Sequence, residues 1–199
     1  MRRSILSLAA IVLALSAGLF FTRESTAAGN QPRADKKEKI LVVYYSLHGH
    51  TRKVAQSIQK ITGGDIAEIV SLENYDRSDV VIVAKKQIKE GYMPKIEKLT
   101  VNPRDYDVIF IGSPVWWFTF APPVKRFLHD NDFKGKRVVP FYTCIDAYGN
   151  IFDDFRKSCS GADVAQGLNV FESELDDRAS LDRKLRKWIT DSIGNKRGK

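Results

Sequence analysis

The chain has 199 residues, 43% hydrophobic and 28% charged, enough for one buried domain plus a leader. Its net charge of +8 falls only to +6 when Arg2, Arg3, Arg23 and Glu24 of the leader are set aside; positive charge would favour acidic partners or anionic surfaces, but a mixed Lys/Glu surface that leans basic is the preferred reading. There is no Arg-rich recognition helix, no zinc-ligand spacing and no Cys-x-x-Cys, and the three histidines are His48, His50 and His129. Nucleic-acid binding and a metal site are therefore disfavoured.

Arg2-Arg3 precede an apolar run from Ile5 to Phe21, and Ser25-Thr26-Ala27-Ala28 follows with small residues suited to cleavage. That order predicts a signal peptide over residues 1–28, with an uncleaved N-terminal anchor as the competing reading. No Cys follows the run, which argues against a lipid anchor. Arg2-Arg3-Ser4-Ile5-Leu6 loosely resembles the twin-arginine export pattern, a route that carries folded proteins. The expected location is the bacterial periplasm, with membrane association through the leader as the alternative. Residues 29–38 read as a flexible linker, and the domain runs over 39–199.

Ile40 to Tyr45 is an apolar and aromatic run that predicts a buried strand. A small polar turn follows, then a helix marked by Val54, Ala55, Ile58 and Ile61 and ended by Gly63-Gly64. Asp65 to Val70 predicts an edge strand. Asp79 to Lys89 predicts a helix with Val80, Val81, Val83 and Ala84 on its apolar side. Asp107 to Gly112 is another buried strand, and Ser113 to Phe120 an aromatic loop. Pro122-Pro123 suits the first turn of a helix with Val124, Phe127 and Leu128 inward. Arg137 to Thr143 is a strand in which Pro140 demands a bulge or a lightly paired position. Ile151, Phe152 and Phe155 mark a short helix, Val164 to Phe171 a last strand, and Leu181, Leu185, Trp188 and Ile189 a closing helix. Cys144 should end a strand and Cys159 should lie near the next helix end, a spacing that favours two buried, unpaired thiols.

Strand and helix alternate throughout. This predicts an α/β fold with one doubly wound, five-stranded parallel sheet. Ligands in such sheets bind at the strand carboxyl ends, where the strand order reverses. Three loops converge there, after Tyr45, Gly112 and Thr143. The first carries Ser46, His48, Gly49, His50 and Thr51 at a helix start, where unpartnered amides and the helix dipole attract an anion. Small polar residues also cap helices routinely, so this loop alone decides little. The second carries Pro114-Val115-Trp116-Trp117-Phe118-Thr119-Phe120, four aromatics in five positions. A plug in the core is one reading; a flat ring stacked on the tryptophans is the other. In the third, Tyr148 could cover the outer face of a ring and Gly149 let backbone approach it, or Asp146 or Asn150 could simply cap a helix.

Taken together, Ser46-Leu47-His48-Gly49-His50-Thr51, Ile111-Gly112-Ser113-Pro114-Val115-Trp116-Trp117 and Val139-Pro140-Phe141-Tyr142-Thr143 resemble the flavodoxin family, over Lys39 to Ile193. The resemblance implies a flavodoxin-like sheet order 2-1-3-4-5, a non-covalent FMN site and electron transfer. The implied cofactor-binding residues are Ser46, His48, Gly49, His50 and Thr51 at the phosphate, Pro114, Val115, Trp116, Trp117, Tyr148 and Gly149 at the ring, and Thr143 between. The sequence also departs from the family. Phe118 stands where Gly usually follows the tryptophan pair. Ile145-Asp146-Ala147-Tyr148 replaces a Gly-rich loop, and His50 replaces Asn. Two readings stay open. One is an exported FMN protein that shuttles electrons to a partner or reduces a quinone-like acceptor; the other is a binding module on the same scaffold that has lost its flavin.

Overall fold

The computed structural model describes residues 38–194. The predicted leader, and the linker except for Glu38, lie outside them. The elements are β1 (Ile40–Tyr44), α1 (His50–Thr62), β2 (Asp65–Glu68), α2 (Arg77–Glu90), β3 (Val108–Trp116), β4 (Thr119–Phe120), α3 (Pro122–Asp130), β5 (Arg137–Cys144), α4 (Ile151–Ser158), β6 (Asp163–Val164), β7 (Leu168–Phe171) and α5 (Arg178–Gly194). The sheet runs β2-β1-β3-β5, and β6 and β7 share the far edge of β5. Among these strands every pairing is parallel except β3 with β4, and an isolated antiparallel bridge joins Ser71 and Ile96. With β4 taken as a hairpin return and β6 and β7 as one interrupted strand, the order is the expected 2-1-3-4-5.

Alternation along each strand feeds two separate cores. Leu41, Val43, Ile109, Ile111, Val138 and Tyr142 face α2, α3 and α4, where Ala84, Val124, Phe127, Ile151 and Phe155 meet them. Val42, Tyr44, Val108, Phe110, Val139 and Phe141 face α1 and α5, where Val54, Ala55, Ile58, Leu185, Trp188 and Ile189 meet them. Burying a side chain such as Phe110 contributes about 1.5–3 kcal/mol. Phe110 also meets Trp188 edge-on, with ring centroids 5.6 Å apart. On α2 the inward residues are Val80, Ala84 and Ile88, at helical spacing. Val83, expected on that stripe, is exposed because it falls a quarter turn away.

Pro140 pairs with Ile111 across β3. On its other side the edge strand breaks between Val164 and Leu168. The Val138 carbonyl faces that edge, accepting the Ala165 N–H at 2.8 Å, so by alternation the missing N–H of Pro140 faces the gap. The lightly paired position expected of this proline is therefore an interruption in its neighbour.

Ser113 to Phe120 is a β-hairpin and not a loop. β3 continues through Trp116, and β4 returns beside it with Trp116 opposite Thr119. The buried Ser113 hydroxyl donates to the Pro114 carbonyl at 2.8 Å and accepts the Ala121 N–H at 3.0 Å, closing the hairpin base. The apolar run past Gly112 masked this continuation, since strand and aromatic loop share the same composition.

Gly112 is where β3 must stay bare. A Cβ there would lie 2.2 Å from Cζ of Phe141 on the neighbouring strand. We predict that Gly112→Ala costs about 1–3 kcal/mol, the usual penalty of overpacking, read as a lower urea midpoint. Adding Phe141→Leu should recover part of that loss; strictly additive losses would sink the packing explanation.

Candidate functional site

The carboxyl ends of β1, β3 and β5 open onto a cleft of about 370 Å³. It is lined by the β1–α1 turn, the start of the hairpin, the end of β5 and Glu172 beyond β7. Gly49, with φ of 87°, turns the chain from β1 into α1. Its left-handed backbone is the conformation that glycine adopts without a side-chain penalty. The Ser46 hydroxyl accepts the Arg52 N–H at 3.3 Å, leaving the His50 and Thr51 amides at the helix start without partners inside the helix. Thr51 is buried, and its hydroxyl lies 2.8 Å from that of Thr143 on β5. When Thr143 donates to Thr51, the Thr51 hydroxyl is free to donate into the cleft. Together these groups present amide and hydroxyl donors at the positive end of a helix dipole, the chemistry of an anion site.

Pro114, Val115 and Trp116 form the apolar wall. Trp116 is buried, held edge-on by Tyr45 at 5.6 Å and by Tyr75 at 5.3 Å between ring centroids. Tyr75 is fixed in turn. Its hydroxyl donates to Gln87 Oε1 at 2.9 Å, and Gln87 Nε2 donates to Glu73 at 3.0 Å. Tyr92 also donates to Glu73. Burial raises the phenol pKa of both Tyr45 and Tyr75, so both rings stay neutral in this wall.

Three expected ring contacts lie elsewhere. Trp117 leaves the cleft: its indole N–H donates to the Val80 carbonyl at 2.8 Å, and Lys85 Nζ sits 4.1 Å from its ring centroid. The cause is the hairpin, which sends consecutive residues to opposite faces. Tyr148 leans on Tyr142, with centroids 5.9 Å apart, and does not line the cleft. Gly149 packs against the hairpin tip and is not among the cleft's lining residues. Its φ is 56°, and a Cβ there would lie 2.4 Å from Cβ of Phe118. The Asn150 N–H donates to the Phe118 carbonyl at 3.1 Å, so the third loop is folded down onto the hairpin.

Phe118 has φ of 67° and Trp117 φ of 49°, both left-handed. A two-residue hairpin turn of type I′ needs positive φ at both central positions, a demand that glycine or asparagine meets most easily. Bulky residues there cost on the order of 1–2 kcal/mol each. The contacts of Trp117 with α2 and of Phe118 with the third loop offset that cost.

Of the expected set, Ser46, His48, His50, Thr51, Pro114, Val115, Trp116 and Thr143 line the cleft, and Gly49 shapes it. Leu47, Val80, Cys144, Ile145 and Glu172 also line it and were not expected. Glu172 follows the last strand, so the carboxyl-end rule that selected three loops would have selected this fourth one too. Its carboxylate lies 2.9 Å from His50 Nδ1. Cys144 is buried and unbridged, as is Cys159. Burial raises the Cys144 thiol pKa, Asp146, Glu172 and Glu174 add to that, and the thiol donates to Asn169 Oδ1 at 3.1 Å. The thiol therefore keeps its proton at neutral pH. Among the described residues no group of three or more His, Cys, Asp or Glu is placed to hold a metal, and no helix is long and apolar enough to cross a membrane.

A doubly wound parallel sheet with an anion-binding helix start and an aromatic wall at its switch point defines a nucleotide-binding class of α/β protein. Residues 39–191 match the flavodoxin family model, and the chain belongs to that family. Among solved structures it is similar to a candidate flavoprotein from Bacteroides eggerthii, at 26% identity and TM-score 0.66, covering 80% of this chain and 99% of that one. It is also similar to a flavoprotein in complex with FMN from Lactobacillus acidophilus, at 28% identity and TM-score 0.58, covering 71% and 99%. The apo form of the Lactobacillus acidophilus flavoprotein matches at 29% identity and TM-score 0.53, covering 70% and 95%.

Tyr142 gives the region a pH signature. Its phenol pKa is pushed from 10.0 up to about 12 by burial first, then by Tyr148 and Cys144. The neutral phenol is the form the fold favours, so its contribution is complete below about pH 10 and is lost as pH climbs toward about 12. We predict that urea midpoints fall over this window and fall less in Tyr142→Phe; parallel curves would remove Tyr142 as a cause.

Proposed function

We propose that this chain is an exported FMN-binding electron-transfer protein, which passes electrons to a partner protein or reduces a quinone-like acceptor. The observation that carries the reading is the cleft itself: one opening joins the α1 start, the Thr51–Thr143 hydroxyl pair and the Trp116 wall. Family membership supports it, as does the likeness to the FMN complex from Lactobacillus acidophilus. The leader sequence supports export.

The residues present fit the cofactor. A cleft of about 370 Å³ lies within the range of small-molecule sites. Its donors at one end suit a phosphate, and its apolar wall at the other suits a flat ring. Thr51, with the His50 and Thr51 amides, would hold the phosphate. Thr143 would orient the Thr51 hydroxyl. Pro114, Val115 and Trp116 would bound one side of the ring. FMN, when bound, supplies the redox chemistry. The protein supplies position, a wall that excludes water, and uncharged phenols and a protonated thiol that leave the ring end unburdened by fixed charge. No nucleophile or general base is needed for electron transfer.

A second reading, a family member without flavin, is favoured by one observation: Trp117 and Tyr148, both expected to bracket the ring, lie outside the cleft. A titration decides between the two. Purified protein given FMN should become yellow and quench flavin fluorescence at one site per chain. Thr51→Val should weaken FMN by about tenfold and riboflavin by much less, since loss of a hydrogen bond to a charged group is worth about 1.5–3 kcal/mol. Trp116→Ala should loosen both flavins, whereas Trp188→Ala, on the opposite core, should loosen neither. Absence of saturable quenching with either flavin would favour the second reading.

A further inference from the structure

We propose that Glu172, which lines this cleft beside His50, limits how strongly the cleft prefers a phosphorylated flavin over an unphosphorylated one. The proposal rests on the FMN reading above. Glu172 begins the turn after β7 and lines the same opening as Ser46, His48, His50 and Thr51. A site built from amide and hydroxyl donors for an anion thus carries a fixed carboxylate on its rim. Like charges in one site repel, and here the repulsion is confined to a ligand that bears a phosphate.

The carboxylate is answered by His50, whose Nδ1 lies 2.9 Å from Glu172 Oε1. Nearby charges are committed elsewhere or lie at the surface. Arg52 of α1 pairs with Glu68 at 2.6 Å. Glu174, in the same turn as Glu172, pairs with Lys184 of α5 at 2.7 Å. Lys53 on α1 and Asp146 after β5 are exposed, and His48 stands on the cleft wall. Glu172 is the carboxylate among these that lines the cleft. The pair is about a third exposed on each side (34% and 40%), so solvent screens the effect to a modest factor and does not abolish it.

A phosphate monoester carries close to two negative charges at about pH 8, above its second pKa of about 6. The experiment measures dissociation constants of FMN and of riboflavin by fluorescence quenching at that pH, using the full chain. Glu172→Gln should tighten FMN by roughly fivefold to tenfold, with riboflavin moving less than about twofold. The replacement is near-isosteric and sits at the rim, and circular dichroism checks the fold. If both flavins bind and Glu172→Gln leaves their affinity ratio unmoved, this proposal is overturned and the FMN reading stands. If neither flavin binds the unaltered protein, both are overturned.

Discussion

Parallel pairing of β1, β3 and β5 is the constraint from which the rest of this structure follows. It brings three carboxyl ends, and every loop that leaves them, to one edge of the sheet. Burial on both faces forces each strand to be apolar throughout, so polar chemistry can begin only where a strand ends. The change from Tyr45 to Ser46 and from Phe141 to Thr143 marks that limit. Thr51 and Thr143 are 92 residues apart, yet their hydroxyls lie 2.8 Å from each other, because each sits at the end of its own strand or the start of the helix beside it. Neither hydroxyl could be buried alone without a desolvation cost of about 1–3 kcal/mol. Each satisfies the other, and the pair remains able to serve a ligand.

The hairpin after β3 shows a different balance. Its two central residues are the bulky Trp117 and Phe118, both left-handed. The strain is local, but its compensation reaches across the molecule. Trp117 is tied to α2 through Val80 and Lys85, and Phe118 is tied to the third loop through Gly149 and Asn150. The tip thereby couples three segments that glycine would leave independent. Trp116, one residue earlier, is held by Tyr45 and Tyr75, so the wall of the cleft and the tip of the hairpin are fixed by separate contacts. Rigidity at the wall limits the ordering cost of receiving a flat ligand.

These features explain what could be read from residues alone and what could not. Strand ends and helix starts are local events, and apolar runs stopping at Ser46 and Thr143 announced them, whereas Ser113 lies inside β3, which runs on to Trp116. The sheet order and most of the cleft followed from alternation and the carboxyl-end rule. Side-chain direction was not legible for Trp117, because whether two adjacent tryptophans share a loop or flank a turn depends on a strand pairing that composition does not encode. Gly149 carried a real signal, a position intolerant of a Cβ, and the neighbour that makes it so is Phe118. Phe118 itself was visible as a departure from the family pattern, and the structure supplies its consequence. Glu172 was legible through the carboxyl-end rule as a residue just past the last strand; only its pairing with His50, over a hundred residues away, has no local signature.

Charge tells a similar story at the scale of the whole molecule. The chain carries +8, but residues 38–194 hold 23 Lys and Arg against 22 Asp and Glu, a net charge of +1. The basic excess belongs to the two flanking stretches of sequence and not to the sheet domain. A nearly neutral domain exerts little long-range pull on an anion, so capture of a phosphate depends on groups inside the cleft. At that distance the helix dipole, two hydroxyls, one imidazole and one carboxylate are comparable in size, and none dominates. Selectivity between charged and uncharged ligands is then a small difference among nearby contributions, and the carboxylate lining the cleft, Glu172, is large enough to shift it.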